Sequence, residues 1–397
     1  MTIDRSKHYK ICLSAGERSG DQHAANLFIE LKKKCPFLEG IGMGSSAMAQ
    51  AGIKLHYDSN KIAVIGVIEV IKHYIEIRRA LKKMQTLLLV ERPDLLICVD
   101  YKEFNYQLAS FAKKNGIKVL FYVSPQVWAW RANRVKKYGA AIDMMAVIFP
   151  FETAYYEAQN IPVRYVGHPS VDKVNPQFTK TQAQQLFGLE ANYPTVGLVA
   201  GSRINEIKRL LPTMLQAAKQ LRERIPYCQF VLPQAESIPD SLLMSYLLDY
   251  GDLKVRIIKH QPYEVMQCCE AIMTCSGTAT LEIALLGIPM LICYRLNPIT
   301  YLLGRLLIKT PFIGLPNIIF GQCIIKEFIQ HDVTPENLSN EIYRILSDDN
   351  AAQQLCANLA VVKKKLGDGG GIAQMANLVI DMLEQTHISL LPTTLSL

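Results

Sequence analysis

Two stretches of this chain share one order of apolar and polar positions. From Tyr9, YKICLSAGERSGDQHAANLFIELKKK runs a short apolar segment into an Ala-Gly turn, then into a polar-headed stretch with apolar residues at helical spacing. From Thr195, TVGLVAGSRINEIKRLLPTMLQAAKQLRER repeats that order. An apolar strand, a small-residue turn and an amphipathic helix are how a doubly wound α/β unit begins. Two such starts, far apart in the chain, predict two Rossmann-like domains. Neither turn has G-x-G-x-x-G, so no dinucleotide cofactor is indicated.

Further alternation fills both halves. PDLLICVD, KVLFYVS, AVIFPF and VRYVGHP are short apolar runs in the first; CQFVLPQ, KVRIIKH, AIMTCSGT and PMLICYR are their counterparts in the second. Near-continuous apolar strands between helices predict parallel sheets covered on both faces. Ligands on such sheets sit beyond the carboxyl ends of the strands, which singles out Glu17 to Asp21, Asp100, Ser124, His168, Gly201 to Arg203 and Ser276 to Thr278. The polar stretch from Asp172 to Pro194 reads as the linker, giving domains at 1–172 and 173–371. A glycine-rich break, GDGGG at 367–371, precedes a helical pattern at about 372–387, a segment able to pack back on the first domain; the last ten residues look irregular.

Composition narrows the class. A chain of 397 residues suits two domains of ordinary size, and half hydrophobic with 20% charged residues is a globular balance. The net charge of +8 favours phosphates or an anionic membrane surface as partners. No zinc spacing or RNA-recognition signature is present, so nucleic acid is not indicated. Ten cysteines form no C-x-x-C, and Cys98 and Cys293 lie inside apolar runs, the usage of a reducing compartment. No apolar run reaches the roughly 18 residues of a membrane span. These features predict a cytoplasmic protein whose membrane contact is peripheral.

Several residues are candidates for chemistry. SGTATLE follows the strand AIMTC: Ser276 and Thr278 can cap the next helix, and with Gly277 they leave backbone N–H groups open to a diphosphate. Glu282, one turn on, can accept from ribose hydroxyls; an ordinary capped helix with a surface glutamate reads equally well. Gly201-Ser202-Arg203 suits a phosphate, since guanidinium pairs bidentately with its oxygens. Asp100 is placed for a general base, with Asn105 nearby, although on spacing alone a helix N-cap is the better reading. Glu17, Ser19 and Asp21 crowd one turn and suit either capping or sugar hydroxyls. His168 can touch a phosphate or be structural, and Trp128 and Trp130 read as core aromatics. From Ile62 to Met84 an apolar stretch carrying Val64, Ile65, Val67 and Ile68 passes into a basic one carrying Lys72, Arg78, Arg79, Lys82 and Lys83. That order fits interfacial membrane binding, or a buried helix with a solvated end. No H-E-x-x-H, Walker A, G-x-S-x-G or metal-spaced aspartate pair is found, so a metal-free mechanism is expected.

The runs AGERSGD, GVIEVI, PDLLICVD with FN, YVSPQVWAWR, FPFE, VGHP, GSRINEI, SGTATLE, LPN and KEFIQ occur in this order from about residue 10 to residue 340. In them the chain resembles the lipid-A-disaccharide synthase family. The resemblance implies a GT-B fold, two Rossmann-like domains facing across a cleft, and an inverting glycosyltransferase without cofactor. Its implied substrates are UDP-2,3-diacylglucosamine and 2,3-diacylglucosamine 1-phosphate (lipid X), its products lipid A disaccharide 1-phosphate and UDP, and its location the cytoplasmic side of the inner membrane; a homo-oligomer is left open. Position by position, Asp100 matches the general base and Arg203 the arginine of the GSR turn. Glu282 and Asn317 match nucleotide-site residues, Glu17 and Ser19 the first glycine turn, and the region from Val64 to Lys83 the membrane-facing surface. The chain departs from the family at Arg18, at Tyr101, Lys102 and Glu103, and at Ala200. The departures beside Asp100 bear on acceptor fit. Two other readings compete: a GT-B activity such as a nucleotide-sugar 2-epimerase, and a non-catalytic UDP-sugar-binding paralogue.

Overall fold

The computed structural model describes residues 7–62, 67–125, 134–297, 301 and 310–388. It divides into two compact units, one formed by Met1–Pro169 with Gly369–Leu397, the other by Ser170–Asp368.

The first unit holds seven parallel strands: β1 (Lys10–Ala15), β2 (Glu39–Gly44), β3 (Lys54–Asp58), β4 (Leu95–Val99), β5 (Lys118–Tyr122), β6 (Met144–Val147) and β7 (Val163–Tyr165). Their order in the sheet is β3-β2-β1-β4-β5-β6-β7. Side chains alternate between two apolar layers, as the pleat requires. Ile11, Leu13, Ala15, Leu95, Ile97 and Val99 join one layer, and Cys12, Leu96 and Cys98 the other. Helix α1 (Arg18–Lys34) covers the first layer. Helices α2 (Val67–Glu91) and α3 (Lys102–Lys114) cover the second, through Ala80, Met84, Leu87 and Leu88 of α2 and Phe104, Leu108 and Ala112 of α3.

The second unit holds six: β8 (Thr195–Val199), β9 (Gln229–Gln234), β10 (Arg256–Lys259), β11 (Ala271–Cys275), β12 (Met290–Tyr294) and β13 (Glu327–Ile329), ordered β10-β9-β8-β11-β12-β13. Both sheets therefore reverse their winding between the first strand and the fourth. In the first unit Ala15 lies level with Val99, so the turns after β1 and β4 emerge side by side. In the second, Val199 lies level with Thr274, which does the same for the turns after β8 and β11. These are the switch points at which doubly wound sheets bind ligands.

All ten cysteines are free, eight of them buried, as their apolar settings predict. No described helix is long and apolar enough to cross a membrane. The described part of the apolar-to-basic segment, from Tyr74 to Met84, is half core and half surface. Residues 63–66, with Val64 and Ile65, lie outside the described residues, as do the side chains of Val67, Ile68 and Lys72. From Tyr74 onward α2 buries one stripe and turns Tyr74, Ile75, Arg78, Arg79, Lys82 and Lys83 outward. Trp128 and Trp130 also lie outside the described residues.

Candidate active site

The turn after β4 is bent into an unusual shape. Asp100 and Tyr101 both take left-handed backbone angles, at φ 48° and 47°. Each such residue costs roughly 1–2 kcal/mol, least for aspartate and asparagine. Asn105, with no exposed surface, holds the bend. Its Nδ2 donates to the carbonyls of Asp100 at 2.8 Å, Ser14 at 3.1 Å and Val99 at 3.3 Å, while its Oδ1 accepts from Ser14 Oγ at 2.7 Å. The Asp100 N–H donates to the Tyr122 carbonyl at 3.0 Å. The carboxylate-bearing residue is thereby tied to the ends of β1, β4 and β5 together.

Tyr101 lies over Gly16, where any side chain would collide with its ring, and its hydroxyl donates to the Ile62 carbonyl at 3.2 Å. Glu17 stands beside Asp100. Burial raises the pKa of Asp100, against Lys102 and a backbone hydrogen bond at Tyr101, which lower it. Burial and then the charge of Asp100 raise that of Glu17, and Lys102 again opposes. Two carboxylates and one lysine thus share the mouth of the first sheet, and no ion pair among the described residues engages Lys102. The neighbouring Glu103 is taken by Arg134 at 2.9 Å and Lys137 at 3.7 Å.

Ser19 is exposed on the same turn, as is Arg18. Asp21 is not available to a sugar. It is buried, and its carboxylate accepts from the Ser45 N–H and Oγ at 2.6 Å each and from the Ala47 N–H at 3.0 Å, closing the start of the short helix Ser46–Gln50. Asn105 likewise reaches a substrate only through Asp100. Ser124 is buried against the Tyr156 hydroxyl at 2.8 Å. His168 is buried with its ring 4.9 Å from that of Phe149, and burial, with His23 nearby, brings its pKa down to about 4. Its burial suits the structural reading.

In the second unit the turn after β8 carries Arg203, whose side chain is 76% exposed. It leads into helix α4 (Ile204–Arg224), whose N-cap it forms. The turn after β11 leads into helix α5 (Thr278–Leu286), where Gly277 is the N-cap and no side chain caps the first turn. Here the structure differs from the expected capping: Ser276 Oγ donates instead to the Ile313 carbonyl at 3.0 Å. Thr278 is exposed, and the helix start is open to an anion. Glu282 accepts from the Tyr263 hydroxyl at 3.2 Å and lies 3.7 Å from Lys173 Nζ.

Asn317 does not face a ligand. It is fully buried in helix α6 (Leu315–Phe320), with Nδ2 donating to the Ile325 carbonyl and Glu327 Oε1, both at 2.8 Å. Its Oδ1 accepts from the Ile324 and Ile325 N–H groups, both at 2.9 Å. Glu327 in turn accepts from the Ile313 and Gly314 N–H groups. This pair shapes the loop on which Ser276 rests. Asn317 of LPN and Glu327 of KEF thus work on backbone, a role that motif reading does not distinguish from ligand contact.

Two residues of weight escaped the sequence reading. One is Lys102, noted only as a departure. The other is Glu206, whose signal was there: a glutamate three residues after the residue opening a helix is the capping-box spacing. Among the described residues no cluster of side chains could hold a metal ion.

Comparison with known proteins gives this geometry its context. A family model described as lipid-A-disaccharide synthetase matches residues 11–368. A lipid-A-disaccharide synthase of Geobacter sulfurreducens is 44% identical over 375 residues, covering 94% of this chain and 97% of the relative. One from Nitrosococcus oceani is 44% identical over 378 residues, covering 95% and 97%. Among solved structures, a putative UDP-N-acetylglucosamine 2-epimerase from Listeria monocytogenes superposes with a TM-score of 0.64 at 13% identity, covering 96% of this chain and 98% of its own. MurG of Acinetobacter baumannii superposes with a TM-score of 0.57 at 14% identity, covering 96% and 100%. At such low identity these likenesses speak for the GT-B fold alone. The matches in sequence span nearly the whole length at high identity, and by them the chain belongs to the lipid-A-disaccharide synthase family, glycosyltransferases of lipid A biosynthesis.

Proposed function

We propose that the chain joins UDP-2,3-diacylglucosamine to 2,3-diacylglucosamine 1-phosphate with inversion. Asp100 carries this reading: a half-buried carboxylate held at a strand end by Asn105, with its pKa raised toward the range useful to a base. Asp100 takes the proton of the acceptor's 6-hydroxyl. The bond from that oxygen to the donor's anomeric carbon forms as the bond from the anomeric carbon to the diphosphate breaks, and UDP leaves as the anion. Arg203 and the open start of α5 take up the charge on the diphosphate, and Glu282 holds the ribose. Glu17 and Ser19 bind acceptor hydroxyls. Incubation with both substrates should release UDP and the disaccharide 1-phosphate in equal amounts. UDP-sugar epimerisation without disaccharide, or binding without turnover, would overturn the reading in favour of one of its two rivals.

Lys102 opposes the burial that raises the pKa of Asp100. A base works only when deprotonated, so removing the lysine should move the acid limb of the pH–rate profile to higher pH. Lys102→Met is expected to show that displacement with the alkaline limb unchanged. An unmoved acid limb would separate Lys102 from the base.

The outer face of α2 is the surface we assign to the membrane. Tyr74 and Ile75 are 54% and 63% exposed, and the Arg78 guanidinium lies 5.7 Å from the Tyr74 ring centre, beside Arg79, Lys82 and Lys83. A basic residue near an anionic surface contributes about 1 kcal/mol. Arg79 is already paired with Glu76. Replacing Arg78 and Arg79 by alanine should therefore weaken binding to vesicles rich in anionic lipid by roughly tenfold, with no change for neutral vesicles.

A further inference from the structure

The turn from Gly201 to Arg203 looks, from its composition, like a cradle of backbone N–H groups for a phosphate. The structure shows those groups already engaged. Glu206 Oε2 accepts from the Ser202 N–H at 3.0 Å and from the Arg203 N–H at 3.1 Å. Its Oε1 accepts from Arg203 Nη1 at 2.9 Å. The Ser202 carbonyl accepts from Ser237 Oγ at 2.6 Å, and the Arg203 carbonyl accepts from the Glu206 and Ile207 N–H groups at 2.9 and 3.1 Å. Glu206 is packed against the turn. Its side chain is only 16% exposed, and Gly201, at φ 122°, has room for no Cβ because that atom would lie 2.6 Å from the Glu206 Cβ. Both N–H groups are thus paired by this chain's own carboxylate before any ligand arrives.

We infer that Glu206 is the positioning residue of the donor site: it fixes the turn and holds the Arg203 guanidinium by one edge, so that the other edge alone meets the diphosphate. This rests on the reading of the GSR turn as the diphosphate site. An exposed arginine otherwise samples many rotamers, and a carboxylate at three residues' spacing removes much of that freedom before the ligand arrives. The guanidinium has five N–H donors in a planar fork, so one edge can be held while the other pairs bidentately. The contact with the leaving group is then made by a side chain, and the backbone of this turn contributes shape only.

Three single variants and one double variant test this with the intact protein. Arg203→Ala should lower kcat on the order of 10²–10³-fold, as removal of a stabilising donor does elsewhere. Glu206→Gln keeps a carbonyl oxygen for the two N–H groups but turns an NH2 toward the guanidinium. It should unfold like the wild type yet lose roughly tenfold in kcat, with a smaller change in KM for the UDP-sugar. Glu206→Ala should lose both the turn and the rate. In the Arg203→Ala background, Glu206→Gln should cost nothing further. If Glu206→Gln turns over like the wild type, or if its loss adds in full to that of Arg203→Ala, Glu206 is a helix cap and the inference fails. If Arg203→Ala leaves turnover and UDP binding unchanged, the diphosphate is bound elsewhere and the reading of the turn itself fails.

Discussion

Asp100→Asn should leave a folded protein that binds UDP normally and turns over about 10²–10⁴-fold more slowly. The choice of asparagine matters. Position 100 sits at φ 48°, a conformation that asparagine tolerates as well as aspartate does. The substitution therefore removes the proton acceptor and keeps the bend. Alanine would add backbone strain and blur the result. Calorimetric titration with UDP, beside steady-state assays with both substrates, separates the loss of chemistry from loss of binding. Turnover within a fewfold of wild type would mean that another group, Glu17 first among them, takes the proton.

The second large effect is expected at a residue that touches no substrate. Asn105→Ala strips partners from the Ser14 hydroxyl and from three backbone carbonyls at the ends of β1 and β4. Each buried polar group left unpaired costs about 1–3 kcal/mol, although water entering the space vacated by the amide can recover part of it. The variant should be destabilised by about 3 kcal/mol or more, read as a lower urea midpoint for the first unit. The left-handed pair at Asp100 and Tyr101 would also relax, so kcat should fall by about a hundredfold even in cold buffer where the protein stays folded. A stable Asn105→Ala protein with normal kcat would show that the bend is held by something else. The backbone partners of Asn317 predict the same kind of damage there, on the loop under Ser276.

The fold was readable because its signals are collective. Two strand–turn–helix starts, and near-continuous apolar strands between helices, each involve many residues whose errors average out. The reversal of strand order after β1 and β8 then brought Glu17 beside Asp100, and the turn bearing Arg203 beside the turn bearing Ser276, where the carboxyl-end rule expects a site. What escaped was the direction of single polar side chains. Asp21, Asn105 and Asn317 each stand in the first turn of a helix beside candidate ligand-binding residues, and nothing in their spacing tells whether they face outward or back into the backbone. The structure turns all three inward. A buried polar residue at a helix start must first satisfy the backbone packed around it, since buried N–H and carbonyl groups tolerate no vacancy. Ser276 went the same way, bonding across to Ile313 and leaving the helix start to a glycine. Glu206 could have been found from its spacing to Arg203. The left-handed angles of Asp100 and Tyr101 could not, because neither residue type demands them.

The helix Gly371–Ile388 has a consequence for how the protein is made. Its Met375, Leu378, Val379, Met382 and Leu383 pack into the same apolar layer as Ile11, Leu13, Leu27 and Leu31. The ribosome supplies the two sides of that layer about 340 residues apart, and at roughly 5–20 residues per second the wait is tens of seconds. The second unit, Ser170–Asp368, is contiguous and complete before the last helix emerges. The second unit is thus synthesised in full while the apolar face of α1 still lacks its covering helix. Until that helix is made the face is a ready client for a holdase, and synthesis stalled before residue 371 would leave it so.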